Sequence, residues 1–390
     1  MRTELMSMYI YNARILPMVG DEIGCGYVLV ENGKIAEVGK GMPQHVRKSD
    51  IDAEGKLLMP GFIDIHTHMG FIGDGAGEEG IDVNEGSDPV MPQLRAVDGL
   101  NFMDGYFADA VSAGVTSVVT GVGSLNPIGG DMVALKTAAR CLDEALIGTV
   151  GIKFALGENP KSYYTERDDA PQTRMATAAL IREALEKARR YMVLTERAEE
   201  PEDLPDYDIK CEALIPLLKG EVKAHIHCHR ADDIMTALRI CKEFGLKPLL
   251  IHCTEGHLIA DLLGEAHAEA VVGPIICDRG KPELAHASLE NAGKLCAAGV
   301  KTAICTDHPE TPINFLTAGA AYCCKYGMPK NEALKGLTIT AAELGGFADR
   351  TGSVTVGKDA DLILLDGDPF EIMTNVCMTM INGKIVFERK

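Results

Sequence analysis

The stretch Pro60-Gly61-Phe62-Ile63-Asp64-Ile65-His66-Thr67-His68 decides how this chain is read. Phe62, Ile63 and Ile65 are strand formers behind a Pro-Gly break, so a short core strand is expected here. Side chains alternate along a strand, and His66 and His68, two residues apart, therefore point to the same side. Two neutral imidazoles converging at a strand end can share one divalent ion of the zinc, manganese, iron or nickel kind. A single His-x-His is a weak motif. Its weight comes from the other strands.

From about Met59 to Phe347, strand-like runs at 61–66, 115–120, 131–136, 150–156, 222–228, 248–253, 270–276 and 300–306 alternate with helix-period segments. One such segment runs from Thr173 to Arg190, with Glu183 and Lys187 at i,i+4 spacing. Another runs from Asp232 to Phe244, where an Asp can cap the start and Gly245 follows the end. A third leads from Leu289 to Gly299. The pattern predicts an α/β protein with a (β/α)8 TIM barrel over 59–347, its third strand the least marked. Both ends of the chain read instead as short strands, with hairpin signals at Asn32-Gly33 and Asn382-Gly383. Neither end has enough strands for a core, so 1–58 and 348–390 are expected to pair into one small β-sandwich domain. The Gly-, Asp- and Glu-rich stretch from Gly70 to Gly99 follows the first strand, which in a barrel places it over the C-terminal mouth.

Composition narrows the function classes. Apolar residues at 46% and charged residues at 24% describe an ordinary globular chain. A formal net charge of −19, with no basic stripe, argues against nucleic-acid partners; the partner expected is a small-molecule substrate. The twelve cysteines form no C-x-x-C pair, and Cys228, Cys253 and Cys305 fall inside apolar strands, which suits a reducing compartment. No run approaches the roughly 18 apolar residues of a membrane span, and no secretory signal is recognisable. A cytoplasmic location and a symmetric homo-oligomer are the resulting expectations.

In a barrel the strand ends would gather His66 and His68, Lys153 and Glu158, His227 and His229, His252, and Asp307 at one mouth. Five of the eleven histidines fall at these positions, so chance placement is the weaker account. With its His66-Thr67-His68, single histidines ending two later strands, an Asp ending the last and β-rich termini, the chain resembles the amidohydrolase superfamily of metal-dependent hydrolases. The resemblance covers nearly the whole chain and is nearest to imidazolonepropionase-like and prolidase-like branches, including members with segments like Gly157-Glu158-Asn159-Pro160 and Ala231-Asp232-Asp233-Ile234.

That resemblance implies one or two divalent metal ions, zinc first, with manganese, iron or nickel as alternatives. His66 and His68 would hold the more buried ion, with Asp307 as a further ligand and as proton acceptor. His227 and His252 would hold a second ion or contact the substrate. His227 is preferred to His229, which stands for a supporting or substrate-binding role. For the bridging ligand two residues stay open: Lys153, as a carbamate, and Glu158. An unmodified ammonium in a barrel core is costly and repels cations, whereas a carbamate bridges them.

The expected reaction is hydrolysis of an amide, cyclic amide, imide or dipeptide-like C–N bond by metal-activated water, with Asp307 as general base and acid. Deamination is the alternative within the superfamily, but Arg230 occupies the place where deaminases carry a proton-donating Glu, and a guanidinium gives up no proton near neutrality. Arg230 is assigned instead to a substrate carboxylate or to a salt bridge with Asp232 or Asp233, and His308 to the substrate. A noncatalytic assembly homologue is the third reading; the filled ligand positions weigh against it.

Overall fold

The computed structural model describes residues 7–390. Its strands, in chain order, are β1 (Ser7–Ile15), β2 (Ile23–Glu31), β3 (Lys34–Lys40), β4 (Ile51–Asp52), β5 (Leu57–Pro60), β6 (Phe62–Thr67), β7 (Val115–Gly121), β8 (Ile128–Lys136), β9 (Leu146–Ala155), β10 (Lys223–Cys228), β11 (Pro248–His252), β12 (Glu269–Val272), β13 (Lys301–Ile304), β14 (Leu362–Leu365), β15 (Val376–Ile381) and β16 (Lys384–Glu388). They form two sheets. The terminal segments share one, in the order β16-β15-β14-β5-β1-β2-β3 with β4 on β1. The strands from β6 to β13 form the other, in sequence order, as an eight-stranded barrel sheet. Both hairpin signals act as read: Asn32-Gly33 and Asn382-Gly383 take the left-handed conformation at both residues and close β2–β3 and β15–β16.

The barrel departs from a regular (β/α)8 at its least marked strand. β8 runs antiparallel to both β7 and β9, while the other pairs are parallel. Only a short loop separates β7 from β8, and β8 reaches β9 through one helical turn, Leu142–Ala145. A parallel crossover needs a dozen or more residues, and the six between Gly121 and Ile128 cannot supply one. The predicted helices are present. Arg174–Arg197 is capped by Thr173, which accepts from Ala176 N–H, and extends beyond its predicted end. Ala231–Phe244 stops at Gly245 in the left-handed conformation, but it begins without a side-chain cap, Asp232 lying inside its first turn.

β6 and β13 close the barrel through a seam rather than a ladder. Asp64, fully buried, accepts from Thr306 N–H at 3.0 Å and from its hydroxyl at 2.5 Å. Asp307 N–H donates to His66 O at 3.2 Å, and His68 N–H to His308 O at 2.8 Å. The carboxylate side chain thus does what a backbone ladder does elsewhere, and it locks the end of β13 against the His66–His68 segment.

The two sheets are joined by a buried charge cluster. Lys136, at the end of β8, pairs with Asp361 and lies 3.1 Å from Asp359; all three are buried. Arg350 and Lys34 also reach Asp359, at 3.0 and 2.6 Å. Removing the lysine leaves Asp361 buried without its cation. Lys136→Met is therefore expected to destabilise the fold by about 3 kcal/mol, the scale for one lost partner of a buried pair. Chemical denaturation measures this; a change under about 0.5 kcal/mol, typical of surface sites, would contradict it.

Candidate metal centre

Simple alternation along β6 would turn His66 away from the site. Ile63 and Ile65 pack in the inner core with Leu249, Ile251, Val271 and Ala303, whereas Phe62 packs in the outer core against the helices. The register with β7 shifts between Asp64 and Thr67, so β6 carries one extra residue there. That bulge turns the chain so that His66 Nε2 and His68 Nε2 both face Asp307 Oδ1, at 3.4 and 3.5 Å. At β11 the same re-aiming is done by the backbone of His252, which sits at φ 70°. Asp307 sits at φ 54°. Such conformations cost on the order of 1 kcal/mol or more per non-glycine residue and concentrate at functional sites.

The imidazoles are fixed from behind. His68 Nδ1 donates to Gly121 O at 2.9 Å, and His252 Nδ1 to Gly273 O at 2.7 Å. A carbonyl only accepts, so both rings carry their proton at Nδ1 and turn a bare Nε2 into the mouth. His229 Nδ1 is 2.7 Å from Thr254 Oγ1. Burial pushes His66, His227 and His229 well below the ordinary histidine range, and takes His252 down to about 4. At neutral pH these four rings are uncharged, as a metal ligand must be. Asp307 stays below its ordinary value: burial raises it, but His252 and His68 beside it outweigh that effect.

Among the described residues, two groups of ligand atoms have the spacing of a cation site, each set within 4.8 Å of one another: His66, His252 and Asp307, and His227, His229 and His252. Buried ring or carboxylate atoms without a hydrogen-bond partner include His66 Nδ1, both nitrogens of His227, and Asp307 Oδ1. Unpaired polar atoms of this kind are costly in a bare protein. Their donor types, imidazole and carboxylate, fit a divalent transition ion. The mouth opens into a cavity of about 930 Å3, whose walls include His68, His227, His229, His252 and Asp307.

The remaining sequence candidates separate. Lys153 is fully buried with its Nζ 3.2 Å from His66 Nε2, and burial brings it down to about 8. Glu158 is not brought to the cluster. It opens the helix Glu158–Thr165, and its Oε2 accepts from Glu283 N–H at 3.2 Å. Arg230 is exposed, bonds Asp232 at 2.8 and 3.0 Å and does not line the cavity. His308 is buried behind Asp307; its Nδ1 accepts from Ile313 N–H at 3.1 Å and its ring packs on Tyr106, off the cavity wall. Sequence reading missed Glu283, which is buried with Oε1 3.7 Å from His227 Nε2 and 3.6 Å from His229 Nε2. It follows β12 in a loop with no periodicity, so no spacing rule pointed to it.

The family model for the amidohydrolase family matches residues 57–386, which spans the seam, the barrel and the β5, β14 and β15 strands of the terminal sheet. This chain belongs to the amidohydrolase family. It is a hydrolase of that family with a barrel and a second sheet from its termini. A crystal structure of an amidohydrolase from Thermotoga maritima is 38% identical, covers 98% of this chain and 100% of that one, and superposes with a TM-score of 0.93. Amidohydrolase tasK of Hapsidospora irregularis is 30% identical over 93% of this chain, which spans 40% of that protein's length. An imidazolonepropionase of Treponema denticola is 23% identical over 95% of this chain and 94% of that one. Among the described residues no helix is long and apolar enough to cross a membrane.

A cation that binds this mouth stabilises the folded state by mass action. Chelator-stripped protein is expected to gain on the order of 5 °C in unfolding midpoint when zinc or manganese is restored, and His66→Ala to lose most of that gain. Thermal melts at matched pH check this, and identical midpoints with and without cation would contradict the site.

Proposed function

We propose that this protein hydrolyses a C–N bond of an amide, cyclic amide, imide or dipeptide-like substrate, with a divalent cation at the barrel mouth. The observation that carries the reading is the convergence of His66 Nε2 and His68 Nε2 on Asp307 Oδ1, at 3.4 and 3.5 Å, where His68 and Asp307 line the cavity. A bound cation there supplies Lewis acidity, which lowers the pKa of water and polarises a carbonyl.

The chain's own residues supply the rest. Asp307 is ionised and in reach of the same point as the two imidazoles, so it accepts the proton of the attacking water and returns it to the leaving nitrogen. The seam through Asp64 and Thr306 holds the Asp307 backbone against His66, so the acceptor cannot drift from the ligands. His68 and His252 are held in one tautomer by Gly121 and Gly273. His227 and His252 stand across the mouth as ligands of a second cation.

Lys153 is favoured over Glu158 as the bridging group, because it touches His66 while Glu158 is occupied with the 283 loop. Its amine is uncharged above about pH 8 and can then take up carbon dioxide as a carbamate. Relatives named imidazolonepropionase favour a cyclic amide within the substrate range. The place of Arg230, paired with Asp232, gives deamination no proton donor from that position.

Asp307→Asn is expected to keep the fold and lower kcat by roughly 100- to 10,000-fold on any substrate found in a panel of cyclic amides and dipeptides. Full activity of that variant would sink the assignment. Native mass spectrometry in bicarbonate is expected to show one added carboxyl group, rising as pH passes through about 8 and absent in Lys153→Ala. An adduct that persists in Lys153→Ala would place the carbamate elsewhere.

A further inference from the structure

Glu283 is a buried carboxylate that none of the roles above employs, and the structure shows how it is delivered. It sits in the helical turn Pro282–Leu284, in the loop beyond β12, and is 2% exposed. Across from it lies Gly157-Glu158-Asn159-Pro160, the segment singled out in the sequence but given no role as a unit. The two segments clasp one another. Glu158 N–H donates to Glu283 Oε2 at 2.9 Å, Glu283 N–H donates back to Glu158 Oε2 at 3.2 Å, and Lys281 Nζ donates to Asn159 Oδ1 at 2.9 Å. Gly157 permits this approach: it sits at φ 87°, and a Cβ there would stand 2.7 Å from Glu283 Oε2.

The clasp occupies Oε2 and leaves Oε1 turned into the mouth. Oε1 lies 3.7 Å from His227 Nε2 and 3.6 Å from His229 Nε2. Adjacent ligands of a tetrahedral ion with bonds of 2.0–2.2 Å stand roughly 3.3–3.6 Å apart, so little movement would close this set around a cation. Both nitrogens of His227 and Oε1 of Glu283 are buried without a well-aligned hydrogen bond. The His229 ring stacks on His252, 4.6 Å between centroids and 11° between planes, which fixes the side from which that ring can contribute. Lys281 Nζ stands 2.8 Å from Oε1 and can remain on its second lone pair, balancing the carboxylate from outside.

We propose that Glu283, positioned by the Gly157–Pro160 clasp, is the carboxylate ligand of a second divalent cation held with His227, His229 and His252. The proposal rests on the metal-dependent reading above and extends it. It gives His229 a ligand's place and assigns Glu158 and Asn159 to positioning Glu283.

The test is cobalt(II) and zinc titration of chelator-stripped full-length protein, with elemental analysis after gel filtration and the visible spectrum of the cobalt form. Wild type is expected to hold two ions per chain. Glu283→Gln preserves shape and the acceptor for Glu158 N–H, and is expected to hold one, with altered cobalt bands. Asn159→Ala loosens the clasp without touching a ligand and is expected to weaken the second ion about 10-fold or more; it also serves if Glu283→Gln does not fold. Two ions bound by Glu283→Gln with unchanged affinities and spectrum would overturn the proposal, as would a wild type that binds one ion and a Glu283→Gln that keeps it unchanged, and in both cases the hydrolase reading stands. A wild type that binds no ion overturns both.

Discussion

Five imidazoles, a lysine and an aspartate are withdrawn from water at one end of a barrel, and the structure around them follows from how that is tolerated. Burial keeps His66, His227, His229 and His252 neutral, which lowers the cost of enclosing them. Each ring held by a carbonyl or hydroxyl behind it presents its other nitrogen forward, where the protein offers few donors in return. An unsatisfied buried polar group costs about 1–3 kcal/mol. A cation at the mouth would satisfy several of them at once, which is the physical ground for the proposed metal centre.

The barrel's closure and the proposed metal centre rest on the same contacts. β6 and β13 meet through Asp64, Thr306 and two backbone hydrogen bonds, and these contacts bring Asp307 to His66 and His68. The bulge in β6 and the left-handed residues His252 and Asp307 are local costs borne by the surrounding packing. On the opposite wall the loop after β12 is tied to the loop after β9, and this brings a further carboxylate to His227 and His229.

Much of this was legible in the sequence, because strand periodicity and strand-end histidines are local signals. The eight barrel strands, the shared terminal sheet and the gathering of His66, His68, Lys153, His227, His229, His252 and Asp307 around one mouth could all be anticipated from spacing and resemblance. The direction of β8 could not, since an antiparallel strand carries the same apolar pattern as a parallel one; only the short connection to β7 betrays it. Alternation also put His66 and His68 on a common side for an incomplete reason, because the bulge that aims them inward has no residue signature. Glu158 and Arg230 looked like site residues by proximity in sequence, yet each is held by a nearer partner, Glu283 and Asp232. Glu283 was illegible because a loop residue's place depends on a contact with a segment more than a hundred positions away.

The central claim is that the mouth of this barrel is a metal centre built on His66, His68 and Asp307. Anomalous diffraction from crystals grown with zinc or manganese tests it most directly. The account predicts a strong peak within bonding distance of His66 Nε2, His68 Nε2 and an Asp307 carboxylate oxygen. Crystals grown with saturating cation that show no peak between these three side chains would contradict it.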